Sequence, residues 1–211
     1  MLDSSKVRVK YNKLPNQNMS HKLTLIVFRH GETSFNKDRI FCGWINTWLD
    51  SVGIDQAQVL GKKLAGEKID YGFCSDLIRS KQTLAYVLSH HNKAKVIIDQ
   101  RIKERNYGIF SGHSKKLFKQ LFPEKYEEIH RGYYTDIPKG ENFKQVGNRV
   151  APFMNDLLRL MKKEKVNVCI SAHGNSMRSI VEYLDELSPK QVEKLEFEPT
   201  DYKKYRIAFD D

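Results

Sequence analysis

Two segments of this 211-residue chain, 143 residues apart, are written to one design. Leu25-Ile-Val-Phe-Arg-His30-Gly31 and Cys169-Ile-Ser-Ala-His173-Gly174 each run from a short apolar stretch into a histidine and then a glycine. An apolar run of this length bounded by loop residues reads as a strand buried on both faces, the kind found in parallel sheets. In an open α/β sheet the ligand crevice lies beyond the carboxyl ends of the strands. Histidines placed there meet in space however far apart they are in sequence. The intervening sequence keeps the same rhythm. Apolar residues at Ile54, Ala57, Leu60, Gly61 and Leu64 have helical spacing. Residues 71–75 read as a second strand, 79–89 as a helix and 96–98 as a third strand. Residues 99–113 read as loop, followed by short helices at 114–121 and 124–130 and a break at Pro138-Lys-Gly140. Phe143, Val146, Val150, Phe153, Leu157 and Leu160 mark a long amphipathic helix. Residues 166–170 give a fourth strand, 176–184 and 189–195 two more helices, and 205–209 a last strand. Strands alternating with helices predict a three-layer α/β/α sandwich around a central, mostly parallel sheet. We read 23–211 as one domain, preceded by a basic tail over 1–22 in which Val7, Val9 and Tyr11 alternate as in a short edge strand.

Composition narrows the function classes. Hydrophobic residues make up 40% and charged residues 29% of the chain, a globular mixture. No apolar run approaches the ~20 residues of a membrane helix, and the first residues lack the apolar stretch of a signal peptide. No membrane association and a cytoplasmic location are expected. Cys42, Cys74 and Cys169 form no CxxC, so neither a zinc knuckle nor a dithiol site is expected, and no metal-spaced cluster is visible. The net charge of +10, from 36 basic and 26 acidic residues, favours an anionic partner. Nucleic acid and a phosphorylated small molecule both fit it.

The strand ends favour the small molecule. Arg29 stands beside His30, and a guanidinium at a buried strand end asks for an anion whose geometry its fork matches, as phosphate does. Arg79 opens the helix after the second strand, at the same edge. Gly31 and Gly174 let backbone approach a ligand. The helix expected to begin at Asn175-Ser176 offers free N–H groups to an anion.

These residues also carry a resemblance. Arg29-His30-Gly31-Glu32-Thr33, with Asn36 after it, resembles the RHG signature of the histidine phosphatase superfamily, which contains the cofactor-dependent phosphoglycerate mutases. Further blocks follow in order: Phe41-Cys42-Gly43-Trp44, Ser75-Asp-Leu-Ile-Arg79-Ser-Lys-Gln-Thr83, Glu104-Arg-Asn-Tyr107-Gly108, Gly140-Glu141 and Ala172-His-Gly-Asn-Ser-Met-Arg178. The similarity spans roughly 23–198. It implies that His30 is a nucleophile accepting a phosphoryl group, which only a neutral imidazole can do. It implies that Arg29, Arg79 and His173 clamp the phosphoryl oxygens, and that Glu104 is general acid and base. Asn36, Cys42, Gly43, Gly174 and the backbone of Asn175 would complete the phosphate pocket. Tyr107, Lys115 and Arg131 fall where mutases place substrate-binding groups.

Two acceptors stay open within the family: water gives a phosphatase, a second hydroxyl of the bound sugar acid a mutase. The Phe41–Trp44 and Ala172–Arg178 blocks resemble mutases. His130-Arg131 in place of a tandem arginine, the short stretch from Gly132 to Gly140, Phe122-Pro-Glu124, and Thr200 without a following glycine depart from them or resemble broad-specificity phosphatases. We place first a mutase interconverting 2- and 3-phosphoglycerate, with 2,3-bisphosphoglycerate as phosphoryl primer, and second a phosphatase of small phosphomonoesters. A non-catalytic polyanion-binding module comes last, because every implied catalytic position is present.

Overall fold

The computed structural model describes residues 22–209. The expectations for the basic tail fall almost wholly on residues outside this range. Five strands form one sheet: β1 (Leu23–Arg29), β2 (Tyr71–Cys74), β3 (Lys95–Ile98), β4 (Val168–Ala172) and β5 (Tyr202–Ile207), in the spatial order β3-β2-β4-β1-β5. The first four run parallel and β5 returns antiparallel along β1. The register sets Arg29 opposite Ala172, so the residues one step further, His30 and His173, leave the sheet together.

Alternation within the strands feeds two cores. Leu25 and Val27 of β1, Phe73 of β2 and Ile170 of β4 point to one face, where α6 (Phe143–Glu164) and α7 (Gly174–Asp185) cover them. Ile26, Phe28, Cys74 and Cys169 point to the other, against α2 (Ser51–Leu64) and α3 (Ile78–Leu88). Each such side chain contributes about 1.5–3 kcal/mol by leaving water. The long helix begins with a capping box in which Asn142 accepts from Gln145 N–H at 2.9 Å and the Gln145 side chain accepts from Asn142 N–H at 2.8 Å. A four-residue helix, α1 (Ser34–Lys37), stands after β1 where the sequence suggested only loop, held by the same device between Thr33 and Asn36. Beyond β3, α4 (Lys115–Leu121), α5 (Pro123–Arg131) and a third small core around Phe41, Tyr107, Ile129 and Ile137 form an excursion over the strand ends. After α7, α8 (Pro189–Glu193) leads back toward β1.

Several boundaries differ from expectation for identifiable reasons. Residues 99–113 contain two single-turn 3-10 helices, Gln100–Ile102 and Gly108–Phe110. The fourth strand starts two residues late because Asn167 ties strands rather than joining one: its side chain accepts from Thr24 N–H at 2.7 Å and its N–H donates to Asp70 at 2.8 Å. The last strand starts and ends earlier than the expected 205–209, because pairing with the whole of β1 overrides a pattern diluted by Lys203, Lys204 and Arg206. The turn after β1 is pinned against α2. A Cβ on Gly31 would stand 2.4 Å from the Gly53 carbonyl oxygen, and one on Gly53 2.0 Å from that of Glu32. Neither position tolerates a side chain without moving the His30 loop.

Candidate active site

His30 is 3% exposed at the end of β1. Its Nδ1 lies 2.7 Å from the Gly31 carbonyl oxygen, and Arg79 Nε lies 3.2 Å from its Nε2. A guanidinium can only donate, so Nε2 accepts and Nδ1 carries the proton. The ring is thus a neutral imidazole with its lone pair on Nε2. Burial, then the charges of Arg79 and Arg29, hold its pKa well below the ordinary histidine value. His173, at the end of β4, meets it edge-on with ring centroids 5.1 Å apart. Its Nε2 lies 2.8 Å from Ser75 Oγ, at the end of β2. Burial and then Arg79 likewise lower the His173 pKa. Three neighbouring strand ends therefore supply Ser75, His173 and His30.

Arg79, in the first turn of α3 and 1% exposed, is held at all three nitrogens. Nη1 donates to the Ile45 carbonyl at 2.9 Å, Nη2 to that of Gly43 at 2.8 Å, and Nε to His30. Arg29 Nη1 donates to the Phe197 carbonyl at 2.5 Å, while its Nε is buried without a partner. Arg178 of α7 is buried as well. Burial pushes its pKa down to about 10. Among the described residues none of Arg29, Arg79, Arg105 and Arg178 has a carboxylate at ion-pair distance. Taking such groups out of water without a counter-charge costs several kcal/mol each. Their gathering is that of a site built for an anion.

Glu104 faces them from the loop after β3. Its Oε1 accepts from Arg105 N–H at 2.7 Å and Asn175 N–H at 3.0 Å. The Asn175 N–H expected to face a phosphate thus meets Glu104 here, and α7 begins one residue earlier, at Gly174. The loop is clamped from below: Arg149 donates to the carbonyls of Lys103 and Glu104 at 2.8 and 2.9 Å and pairs with Glu141 at 2.7 Å. Glu141 also accepts from Asn106 N–H at 2.9 Å, which gives the Gly140-Glu141 block its structural reason.

These groups surround a cleft of ≈ 220 Å³. The sequence-selected residues Arg29, His30, Asn36, Cys42, Gly43 and Arg79 line it, as do Glu104, Tyr107, Lys115, Arg131, Gly174 and Asn175. His173 is not part of that lining: it is fully buried, edge-on to His30, and its Nδ1 has no partner. The side-chain oxygen of Asn36 accepts from Thr33 N–H at 3.2 Å and Thr33 Oγ1 at 2.9 Å, so it caps α1 at the cleft wall. Burial pushes the Tyr107 phenol up, but Arg105 and Lys115 outweigh it and leave its pKa lowered. Tyr107 OH accepts from Asn175 Nδ2 at 3.2 Å.

Sequence reasoning did not select six wall residues: Thr33, Ile40, His130, Arg178, Leu195 and Glu196. Arg178 had a signal, since it stands three residues after Asn175 on one helix face and its Nη1 meets Asn175 Oδ1 at 3.0 Å. His130 is held neutral, its pKa pushed down to about 2 by burial and then by Lys115, Arg131, Arg105 and Arg178. Glu196 pairs with Arg131, and nothing local in the sequence marks it. Arg105, fully buried, donates to the carbonyls of Ile129 at 2.5 Å and His130 at 3.2 Å and lies 4.4 Å over the Tyr107 ring. It fastens the end of α5 to the Glu104 loop.

The sequence pattern of the histidine phosphatase superfamily (branch 1) matches residues 25–210. A 2,3-bisphosphoglycerate-dependent phosphoglycerate mutase of Rhizobium meliloti is 39% identical over 181 residues, covering 82% of this chain and 84% of that protein. One of the same name from Chlamydia abortus is 30% identical over 200 residues, covering 82% and 88%. Among solved structures, a mycobacterial glucosyl-3-phosphoglycerate phosphatase superposes with a TM-score of 0.77 at 22% identity, over 86% of this chain and 90% of that one. The α-ribazole phosphatase of Shigella flexneri superposes at 0.74 with 25% identity, over 88% and 94%. A buried neutral histidine among uncompensated arginines, on this sheet and with this match over residues 25–210, makes the chain a member of the histidine phosphatase superfamily, branch 1.

Proposed function

We propose that this enzyme moves a phosphoryl group through a phosphohistidine at His30, interconverting 2- and 3-phosphoglycerate in the manner of a 2,3-bisphosphoglycerate-dependent phosphoglycerate mutase. The observation that carries the reading is the charge of the cleft. Arg29, Arg79, Lys115, Arg131 and Arg178 line it against two carboxylates, Glu104 and Glu196. One phosphate does not require five cations spread over both ends. A phosphorylated sugar acid, with its second anionic group, uses them.

In the first transfer the Nε2 lone pair of His30 attacks phosphorus, the P–O bond to the donor breaks, and Glu104 gives a proton to the leaving oxygen. Arg79 and Arg29 hold the equatorial oxygens. The unpartnered Nε of Arg29 is a donor ready for them. Such electrostatic positioning does most of the work in phosphoryl transfer. In the second transfer the acceptor hydroxyl gives its proton to Glu104 and takes the phosphoryl group from Nε2, which recovers its lone pair. 2,3-Bisphosphoglycerate supplies the phosphoryl group that first loads His30. Its second phosphate and its carboxylate have Lys115, Arg131 and Arg178 to meet. His173, neutral and edge-on to His30, has a buried Nδ1 without a partner and would join the arginines in holding the phosphoryl group.

A phosphatase reading also has a specific support. His130 is neutral and Arg131 already holds Glu196, which weakens the grip on a second anion and favours water as acceptor. A two-channel assay separates them: 3-phosphoglycerate is supplied with and without 2,3-bisphosphoglycerate, one channel couples 2-phosphoglycerate to enolase, and the other counts free phosphate. We expect a primer-stimulated enolase signal with little phosphate. Phosphate without enolase signal would overturn the mutase and leave a small-phosphomonoester phosphatase.

A further inference from the structure

The return chain from α8 to β5 is strung on cations of the cleft. Arg178 donates to the Val192 carbonyl through Nε at 3.1 Å and Nη2 at 2.7 Å. Arg131 Nη1 donates to the Leu195 carbonyl at 3.1 Å, and Arg29 Nη1 to that of Phe197 at 2.5 Å. Each of these three arginines lines the cleft, as do Leu195 and Glu196 of the return chain itself. Beyond Glu196 the chain is fixed to β1 by Arg29 N–H on the Asp201 carbonyl at 3.0 Å and Thr200 N–H on that of Arg29 at 3.2 Å. Suspended in this way, the Glu196 carboxylate reaches Arg131 at the cleft wall. It is the one carboxylate at ion-pair distance from a cleft arginine among the described residues.

We propose that Glu196 is an internal anion that occupies the distal half of the cleft by holding Arg131, so that a substrate bearing a second anionic group must displace it while a substrate with a neutral remainder need not. Glu196 is therefore a specificity-determining residue: it raises the threshold for distal anions without touching the phosphoryl end. The geometry permits the exchange. The Glu196 side chain is 66% exposed and that of Arg131 25%. The carboxylate can swing into water while the guanidinium stays at the wall on Leu195. A pair this open is worth at most about 1 kcal/mol, so its displacement adjusts affinity rather than abolishing it.

The inference rests on the reading of the cleft as a small-phosphomonoester site. Its test uses two ligands of one size: 3-phosphoglycerate, with a carboxylate at the far end, and glycerol 3-phosphate, with a hydroxymethyl group in its place. Calorimetry on the full chain gives a Kd for each with wild type, Glu196→Gln and Glu198→Gln. Glu198 is exposed, two residues on and outside the cleft, so its variant removes an equal charge without removing the pair. We expect Glu196→Gln to tighten 3-phosphoglycerate by about fivefold, to leave glycerol 3-phosphate unchanged, and Glu198→Gln to change neither. An unaltered ratio of the two affinities in Glu196→Gln overturns the inference alone. So does an equal shift in Glu198→Gln, which would reduce the effect to net charge. Failure of both ligands to bind the wild-type chain overturns the reading of the cleft and the inference with it.

Discussion

The two ends of the cleft are built differently. At the phosphoryl end, His30, His173 and Ser75 stand at the ends of adjoining parallel strands, and Arg79 has a partner at every nitrogen. His30 and Arg79 are 3% and 1% exposed. At the distal end, Lys115 and Arg131 are the first and last residues of α4 and α5, and Glu196 hangs from a connecting segment. Arg131 donates to the Leu195 carbonyl and pairs with the Glu196 carboxylate, Lys115 lies 5.4 Å over the Phe41 ring, and the excursion has a small core of its own. A rigid end fixes the reacting atoms to the fractions of an ångström that phosphoryl transfer requires. An excursion that packs separately is where selectivity is altered without disturbing the chemistry.

The sharpest way to break this division is to compare one residue from each end. His30→Ala removes the proposed nucleophile and should cost at least about 10⁴-fold in turnover, together with all acid-labile phosphate on the protein after exposure to a phosphoryl donor. Arg131→Ala should raise KM for 3-phosphoglycerate by about tenfold while leaving kcat within a few-fold, because it removes binding shared by ground and transition states. A kcat loss in Arg131→Ala approaching that of His30→Ala would show that the ends act as one unit.

Glu104 stands between the ends and should show the next largest effect. Glu104→Gln keeps an acceptor for the N–H groups of Arg105 and Asn175 but cannot exchange a proton. A loss of about 10²–10⁴-fold in kcat is expected, with one limb of the pH–rate profile flattened. An unchanged profile would remove Glu104 from the proton path and leave it as an anchor for the start of α7.

The same division explains what the sequence disclosed. The phosphoryl end was legible because its residues follow from local rules: apolar runs that can only be buried strands, each closing on histidine and glycine, in a topology that brings strand ends together. The resemblance then attached roles to positions already gathered by that argument. The cleft wall was legible as far as the resemblance reached, which outside its ordered blocks included Lys115 and Arg131, brought to the cleft from two different helices. Long-range packing is where the sequence was silent. His173, expected on the phosphoryl oxygens, is fully buried edge-on to His30 with its Nδ1 unpartnered. The Asn175 N–H was expected free and is taken by Glu104, a residue 71 positions away. Glu196 carries no local signal, since its position depends on three arginines from β1, α5 and α7 that tether the chain around it.

The remaining expected effect concerns His130, the neutral residue at the distal end, and is a matter of stability rather than of turnover. Its pKa is 6.5 in an open chain and about 2 in the fold, because burial and the cations Lys115, Arg131, Arg105 and Arg178 oppose a further positive charge. Below pH 6.5 the unfolded chain takes up a proton that the folded chain refuses until about pH 2. Stability is therefore complete above that range and declines as the pH falls through it, by up to about 1.4 kcal/mol per pH unit for each such group. His30 and His173 are depressed in the same direction and add their own declines. His91 is also lowered by burial, and His130→Gln removes one of these four declines. Urea unfolding from pH 7 to pH 4.5 should give a wild-type stability that falls more steeply than that of the variant, by about one proton's worth of slope, with the two converging toward acid. Parallel curves would mean that His130 titrates in the fold, and the distal end would then acquire in acid the second adjacent cation that it lacks at neutral pH.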